Sequence, residues 1–238
     1  MPLYKAQGVV LRTTKLGEAD RIAHLATDRR GRVRAVVKGV RKTKSRWGSR
    51  LEPMSHVSVL CWEGRDLDVV TQAETIDHFR AIREDLDRMV KAAVLLEVAD
   101  RLGLDGWEGG QTYRMLVGAL RFLSQQDSAA LVGAFLWRLL AEEGFAPVLD
   151  RCAACGGPGP LVAFEAAVGG ALCRRCRQGT PLSGEALVLI ASALGGRLTD
   201  VLREPPSRAV TEMETLATRT MEAHIERRLR SVGVLDRG

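Results

Sequence analysis

Residues Arg21–Val37 read RIAHLATDRRGRVRAVV, and this stretch decides the fold. Arg21–Thr27 alternates around Ile22 and Leu25, and Arg32–Val37 alternates charged with apolar residues. A two-residue period of this kind marks a strand with one buried face. Asp28-Arg29-Arg30-Gly31 between them carries the residues of a hairpin turn. Working outward, Gln7–Thr13 supplies an apolar strand segment, and His56–Cys61 (HVSVLC) and Asp66–Thr71 (DLDVVT) alternate again. Glu63-Gly64-Arg65 is a short glycine-containing turn between the last two. Five short strands before residue 78 predict a small closed sheet, and the OB-fold is the common five-stranded solution.

The longest connection in that barrel, Gly39 to Met54, falls between the third and fourth strands. It holds most of the stretch KGVRKTKSRWGSR (Lys38–Arg50), which has six Lys/Arg, no acid and one tryptophan. Basic side chains neutralise phosphates and release their counterions, and an aromatic ring can stack on an unpaired base. Residues 1–50 carry 14 Lys/Arg against 3 Asp/Glu, a net of +11, so the remaining 188 residues carry −5 of the overall +6. This asymmetry points to a local anion-binding surface, with nucleic acid favoured as the partner over an anionic membrane surface, because the basic residues lie in strand-like sequence and not along one face of an amphipathic helix. Candidate phosphate contacts are Lys38, Arg41, Lys42, Lys44, Arg46 and Arg50, with Arg32 and Arg34 sharing one strand face. Arg12 and Arg21 are weaker candidates. Trp47 has two readings, a base-stacking ring or a cover for the barrel end.

After Phe79 the period becomes helical. Ile82, Leu86, Met89, Ala93, Leu96 and Ala99 predict one apolar face, ending near Gly103. Further helices are predicted over Gly109–Ser124, Ser128–Glu143, Ser183–Leu194 and roughly Ala209–Leu229, where Arg227, Arg228 and Arg230 would suit the negative helix end. The fold class is therefore α+β, with an OB-fold domain over residues 1–78 and a mainly helical domain over 79–238. Residues 147–181 form an insertion rich in Gly, Pro and Cys with no regular pattern.

Within that insertion, Cys152-Ala-Ala-Cys155 and Cys173-Arg-Arg-Cys176 have the spacing of a four-cysteine zinc site. Four thiolates complete a tetrahedral shell around one Zn2+, leaving no position for substrate, so the site is expected to be structural. Two disulfides or a redox pair are the weaker alternatives. Gly156 and Gly157 would let the first knuckle curl toward sulfur. Cys61 reads as a core thiol. Arg174 and Arg175, on the second knuckle, read as solvated.

The chain lacks a phosphate-binding GxxxxGK[ST] loop, an HExxH motif and a GxSxG elbow. The four histidines, His24, His56, His78 and His224, are scattered. Gly17-Glu18-Ala19-Asp20 reads as a charged turn. No enzyme is expected. The N-terminal residues lack a signal-peptide pattern and no apolar run is long enough to span a bilayer, so a cytoplasmic protein is expected, nucleoid-associated through the DNA that its basic surface would bind.

The segments LGEADRI (Leu16–Ile22), VRAVVKGVRKTKSRWGSRLEP (Val33–Pro53) and DLDVVTQAETID (Asp66–Asp77), followed by the two CxxC pairs, resemble the RecO family of bacterial recombination mediators, particularly its actinobacterial branch. The resemblance covers nearly the whole chain. It implies a DNA repair and recombination protein that binds single- and double-stranded DNA and anneals complementary strands. With RecR, such a protein helps RecA replace single-strand binding protein (SSB), whose acidic C-terminal tail it also binds. It implies no catalytic activity. A protein-interaction scaffold whose basic barrel docks an acidic partner is the alternative. An RNA-processing role is weaker, for want of catalytic residues.

Overall fold

The computed structural model describes residues 2–41, 45, 47, 49–102, 110–226 and 228–231. The chain forms two compact units, residues 1–125 and 126–238.

The first unit begins with five strands: β1 (Leu3–Leu16), β2 (Asp20–Thr27), β3 (Arg32–Val37), β4 (His56–Trp62) and β5 (Asp68–Asp77). Their order is β1-β2-β3-β5-β4, with β4 returning to β1, which is the OB arrangement the alternation predicts. All pairs are antiparallel except the narrow β3–β5 seam, which joins Ala35 to Asp68 and Val36 to Val69 in parallel. β1 serves two partners, β4 along its first half and β2 along its second. An irregularity between Val10 and Arg12 lets it bend from one to the other. Inward residues such as Val10, Leu25, Ala35, Val57, Val59 and Val70 fill the barrel. Cys61 lies among them as a core thiol, its pKa pushed up to about 12 by burial.

β5 starts two residues later than the sequence pattern suggests. Asp68 binds the preceding turn, accepting from the Gly64 N–H at 2.9 Å and from the Tyr4 hydroxyl. Asp66 and Leu67 therefore belong to the turn.

Helices α1 (Arg80–Arg83), α2 (Leu86–Leu102) and α3 (Gln111–Gln125) complete this unit. The continuous apolar face expected from Ile82 onward is corrected here. The helix breaks at Glu84–Asp85 and restarts, with the Asp85 carboxylate accepting from the Arg88 N–H at 3.1 Å. The restart shifts the phase. Ala92, Leu95, Leu96, Ala99 and Leu102 are buried, whereas Leu86, Met89 and Ala93 are exposed. α3 buries the predicted Tyr113, Leu116, Val117, Leu120 and Leu123. Arg88 closes its far end by donating to the carbonyls of Leu123 and Ser124 at 3.0 and 3.1 Å. α2 and α3 both pack on β1 and β2.

The second unit contains α4 (Leu131–Glu142), β6 (Leu161–Glu165), β7 (Gly170–Cys173), β8 (Thr180–Pro181), α5 (Gly184–Leu194), α6 (Leu198–Leu202) and α7 (Arg208–His224). α4 is buried on nearly all sides and packs on α7. A Cβ on Gly133 would lie 3.0 Å from the Glu214 backbone, so glycine sets this close approach. The Trp137 indole N–H donates to the Met213 carbonyl at 3.1 Å, and its ring meets Phe164 edge-on. Ser183 caps α5, accepting from the Ala186 N–H at 3.1 Å.

Two expectations are corrected in this unit. The segment between Pro147 and Pro181 has regular structure, the three-stranded sheet β7-β6-β8. The last helix ends at His224, so Arg228 and Arg230 lie beyond it, and Arg227 lies outside the described residues. Among the described residues, no helix is long and apolar enough to cross a membrane.

Candidate nucleic-acid surface and metal centre

The basic connection leaves β3 at Lys38 and is anchored to the β1–β2 turn. The Gly39 N–H donates to Asp20 Oδ1 at 2.7 Å, and the Arg41 N–H to the Ala19 carbonyl at 3.0 Å. The Arg41 guanidinium reaches the Gly17 carbonyl at 3.2 Å. The charged turn Gly17–Asp20 thus holds the root of the basic loop. Lys38, Arg41 and Arg50 are exposed, as is Arg34 on β3. Lys42, Lys44 and Arg46 lie outside the described residues.

Trp47 takes the second of its two readings. It is 3% exposed, packed in the barrel core, and its indole N–H donates to the Lys38 carbonyl at 2.8 Å. A ring so enclosed has no face to offer a base, so its inclusion among the DNA contacts is corrected. Arg50 folds back on the same turn, donating to the Trp47 carbonyl at 3.3 Å. The tryptophan therefore anchors its own part of the loop to the barrel core and to the end of β3.

Arg32 and Arg34 share a face but have different surroundings. Arg32 is half-buried and donates to the Asp100 carbonyl on α2 at 2.6 Å. The Asp100 carboxylate also pairs with Arg12 and lies 3.9 Å from His24 Nδ1. Burial, reinforced by Arg12, pulls His24 below its usual range. Sequence reasoning passed over Asp100, which ties β1, β2 and β3 to the helix, because only the fold brings it to Arg12 and Arg32.

His56 is buried at the start of β4. Its Nε2 lies 2.8 Å from the Tyr113 hydroxyl, which donates to Gln7 Oε1 at 3.2 Å. With the tyrosine proton spent on Gln7, Nε2 must donate and Nδ1 is left without a partner. Protonation would bury an unpaired N–H, and burial accordingly lowers this histidine too.

The four cysteines converge. Their sulfurs all lie within 4.8 Å of one another, with Cys155 and Cys173 at 3.9 Å. A tetrahedron of thiolates on zinc has Zn–S of ~2.3 Å and hence S–S edges of ~3.8 Å. The first knuckle turns at Gly156, whose φ of 71° is left-handed and favours glycine. Cys173 ends β7 and Cys176 closes a 3-10 turn over Arg174–Cys176. Backbone N–H groups, first that of Cys173, bring the Cys152 thiol down to about 6. The Cys173 thiol is lowered likewise, chiefly by the Cys176 N–H. Cys176 is pushed up to about 12, mainly through its contact with Cys155. Such crowding of sulfurs suits a cation at the centre. Cys152 and Cys173 are buried with Ala163 and Leu172 in the core of the small sheet, Cys176 packs against it and Cys155 is exposed. Arg174 and Arg175 are exposed.

The family model for Recombination protein O N terminal matches residues 1–79, and that for Recombination protein O C terminal matches residues 83–232. The chain is 44% identical over 243 residues to a DNA repair protein RecO of Frankia casuarinae, covering all of both chains. It is 42% identical to a DNA repair protein RecO of a Nocardioides species, over 99% of this chain and all of the relative. With both family models together spanning nearly every residue and full-length relatives above 40% identity, the chain belongs to the RecO family of DNA repair and recombination proteins.

Proposed function

We propose that this chain is a non-enzymatic recombination mediator. It binds single- and double-stranded DNA through the basic side of its barrel, anneals complementary strands and acts with RecR to load RecA onto SSB-coated DNA. The observation that carries this reading is the exposed cationic set Arg34, Lys38, Arg41 and Arg50 on β3 and the loop that leaves it, in an OB-type barrel of a RecO-family chain. An OB barrel with a basic groove is a general platform for single strands. Lys42, Lys44 and Arg46 continue the same charge run and are assigned to phosphates with it; Arg32 contributes field more than contact, given its bond to Asp100.

The cysteine cluster holds one zinc ion in a closed thiolate shell. Its role is to fold the β6–β8 sheet, whose own apolar core is small. The metal provides cross-linking of the chain and no reactive position.

Complementary oligonucleotides coated with SSB test the mediator directly. Purified protein is expected to anneal them, and RecR with RecA to displace SSB faster when it is present. A protein that shifts no DNA at low salt, yet binds an acidic partner, would favour a scaffold whose barrel docks that partner.

A further inference from the structure

Trp62 is the exposed tryptophan of the barrel, 45% open to solvent at the end of β4. Strand register places it in a row. Leu3 of β1 pairs with Trp62, Trp62 with Val69 of β5, Val69 with Val36 of β3, and Val36 with Ile22 of β2. Each of these residues alternates with an inward one: Tyr4, Cys61, Val70, Val37 and Ala23 belong to or pack on the barrel core. The row therefore lies on the outer face. Leu3 is 47% exposed, and Val69, Val36 and Ile22 are half-buried. From Trp62 to Ile22 the row crosses three strand spacings, about 14 Å.

The rim of this row is cationic. Lys5 lies two residues from Leu3 on the same face, Arg34 two residues before Val36, and Lys38 just beyond the end of β3. All three are exposed. Arg65, in the β4–β5 turn, is exposed and ion-paired with Asp66 at 3.6 Å. The other acids on this edge are also engaged, Glu63 by Arg30 and Asp68 by Tyr4 and Gly64. An apolar strip that contains an exposed indole and is edged by cations suits a ligand with flat apolar faces and a polyanionic backbone.

We propose that this row is the base-binding track for single-stranded nucleic acid, with Trp62 stacking on an unpaired base while Arg34, Lys38 and Lys5 hold phosphates. The assignment rests on the DNA-binding reading and deepens it: the base contact moves from Trp47, which is buried, to Trp62. Bases paired within a duplex hide their faces, so the track distinguishes strands and the basic loop does not.

The test is equilibrium binding of the full chain to oligo-dT and to a duplex of equal length, for the wild type, Trp62→Ala and Trp62→Phe. Loss of a stacking ring weakens binding by about 5- to 100-fold. Trp62→Ala is expected to show such a loss for oligo-dT with the slope against salt unchanged, since stacking releases no counterions. Duplex affinity should stay within about twofold and Trp62→Phe should retain most of the oligo-dT affinity, stacking being worth so much to any aromatic ring. Equal oligo-dT affinity of the wild type and Trp62→Ala would overturn the track while leaving DNA binding by the loop intact. A wild type that binds neither nucleic acid would remove the DNA-binding reading itself. A dimer that Trp62→Ala dissolves would show the row to be a contact between copies, and overturn the proposal.

Discussion

Trp47 and Trp62 have the same side chain and opposite situations, and the reason lies in their neighbours. Trp62 follows Cys61 on a strand, so alternation turns it outward once Cys61 is inside. Trp47 stands in a loop, where no period fixes its direction. Its burial and its bond to the Lys38 carbonyl make it a structural residue. Trp47→Ala should cost about 3–5 kcal/mol in urea unfolding of the first unit, the usual range for a buried tryptophan truncated to alanine. A loss under about 1 kcal/mol would contradict this packing. The buried histidines provide a second residue-scale prediction. His24 and His56 are held below the ordinary value near 6.5, first by burial. Both are neutral in the fold at pH 7, and the unfolded chain takes up protons before the folded one does. Their stabilising contribution is therefore complete above about pH 6.5 and declines as pH falls toward their folded values. Ring-proton NMR titration should place both midpoints below 6.5. A midpoint at or above that value would contradict the burial of Nδ1 at His56.

At the scale of elements, legibility follows length. β3 and β4 alternate over six or more residues and stand where the sequence pattern puts them. β2 also stands in place, but Ile22 and Leu25, three residues apart, face opposite sides of the sheet, and Ala23–Thr27 are all buried. α3 and its five buried residues are likewise visible in the period. α2 departs from the predicted phase because Asp85 restarts the helix, an event no periodic count can register. β6, β7 and β8 have five, four and two residues, too short for a pattern. What marks their segment in the sequence is the cysteine spacing, and Cys152 and Cys173 share the core of that sheet with Ala163 and Leu172. On the proposed zinc assignment, removing the metal should expose β6–β8. In hydrogen exchange after chelation, or in Cys152→Ser, amides of Ala163, Phe164, Ala171 and Leu172 should lose protection while those of Val57 and Val59 keep theirs. Equal protection with and without metal would mean that the sheet folds unaided. Elemental analysis should return about one zinc per chain, as a closed four-thiolate shell requires.

For the whole molecule, the proposed DNA binding rests on the distribution of charge more than on the net charge. Residues 1–50 carry a net +11, and Arg34, Lys38 and Arg41 among them stand exposed on β3 and at the root of the basic loop, which the Gly17–Asp20 turn fixes. The sequence pattern identifies that loop as cationic. It does not reveal that Arg32 is drawn to Asp100, because that contact joins residues 68 positions apart. Nor does a change of period near Phe79 coincide with compactness, since α1–α3 pack with the barrel in the first unit. The most direct measurement of DNA binding by this barrel is affinity for oligo-dT as a function of salt, in the wild type and in a variant with Arg41, Lys42, Lys44 and Arg46 all replaced by alanine. Each phosphate contact on a single strand contributes about 0.7 to the logarithmic slope, so four lost contacts should flatten it by about 3. The same slope in both proteins would contradict the assignment of this loop to DNA.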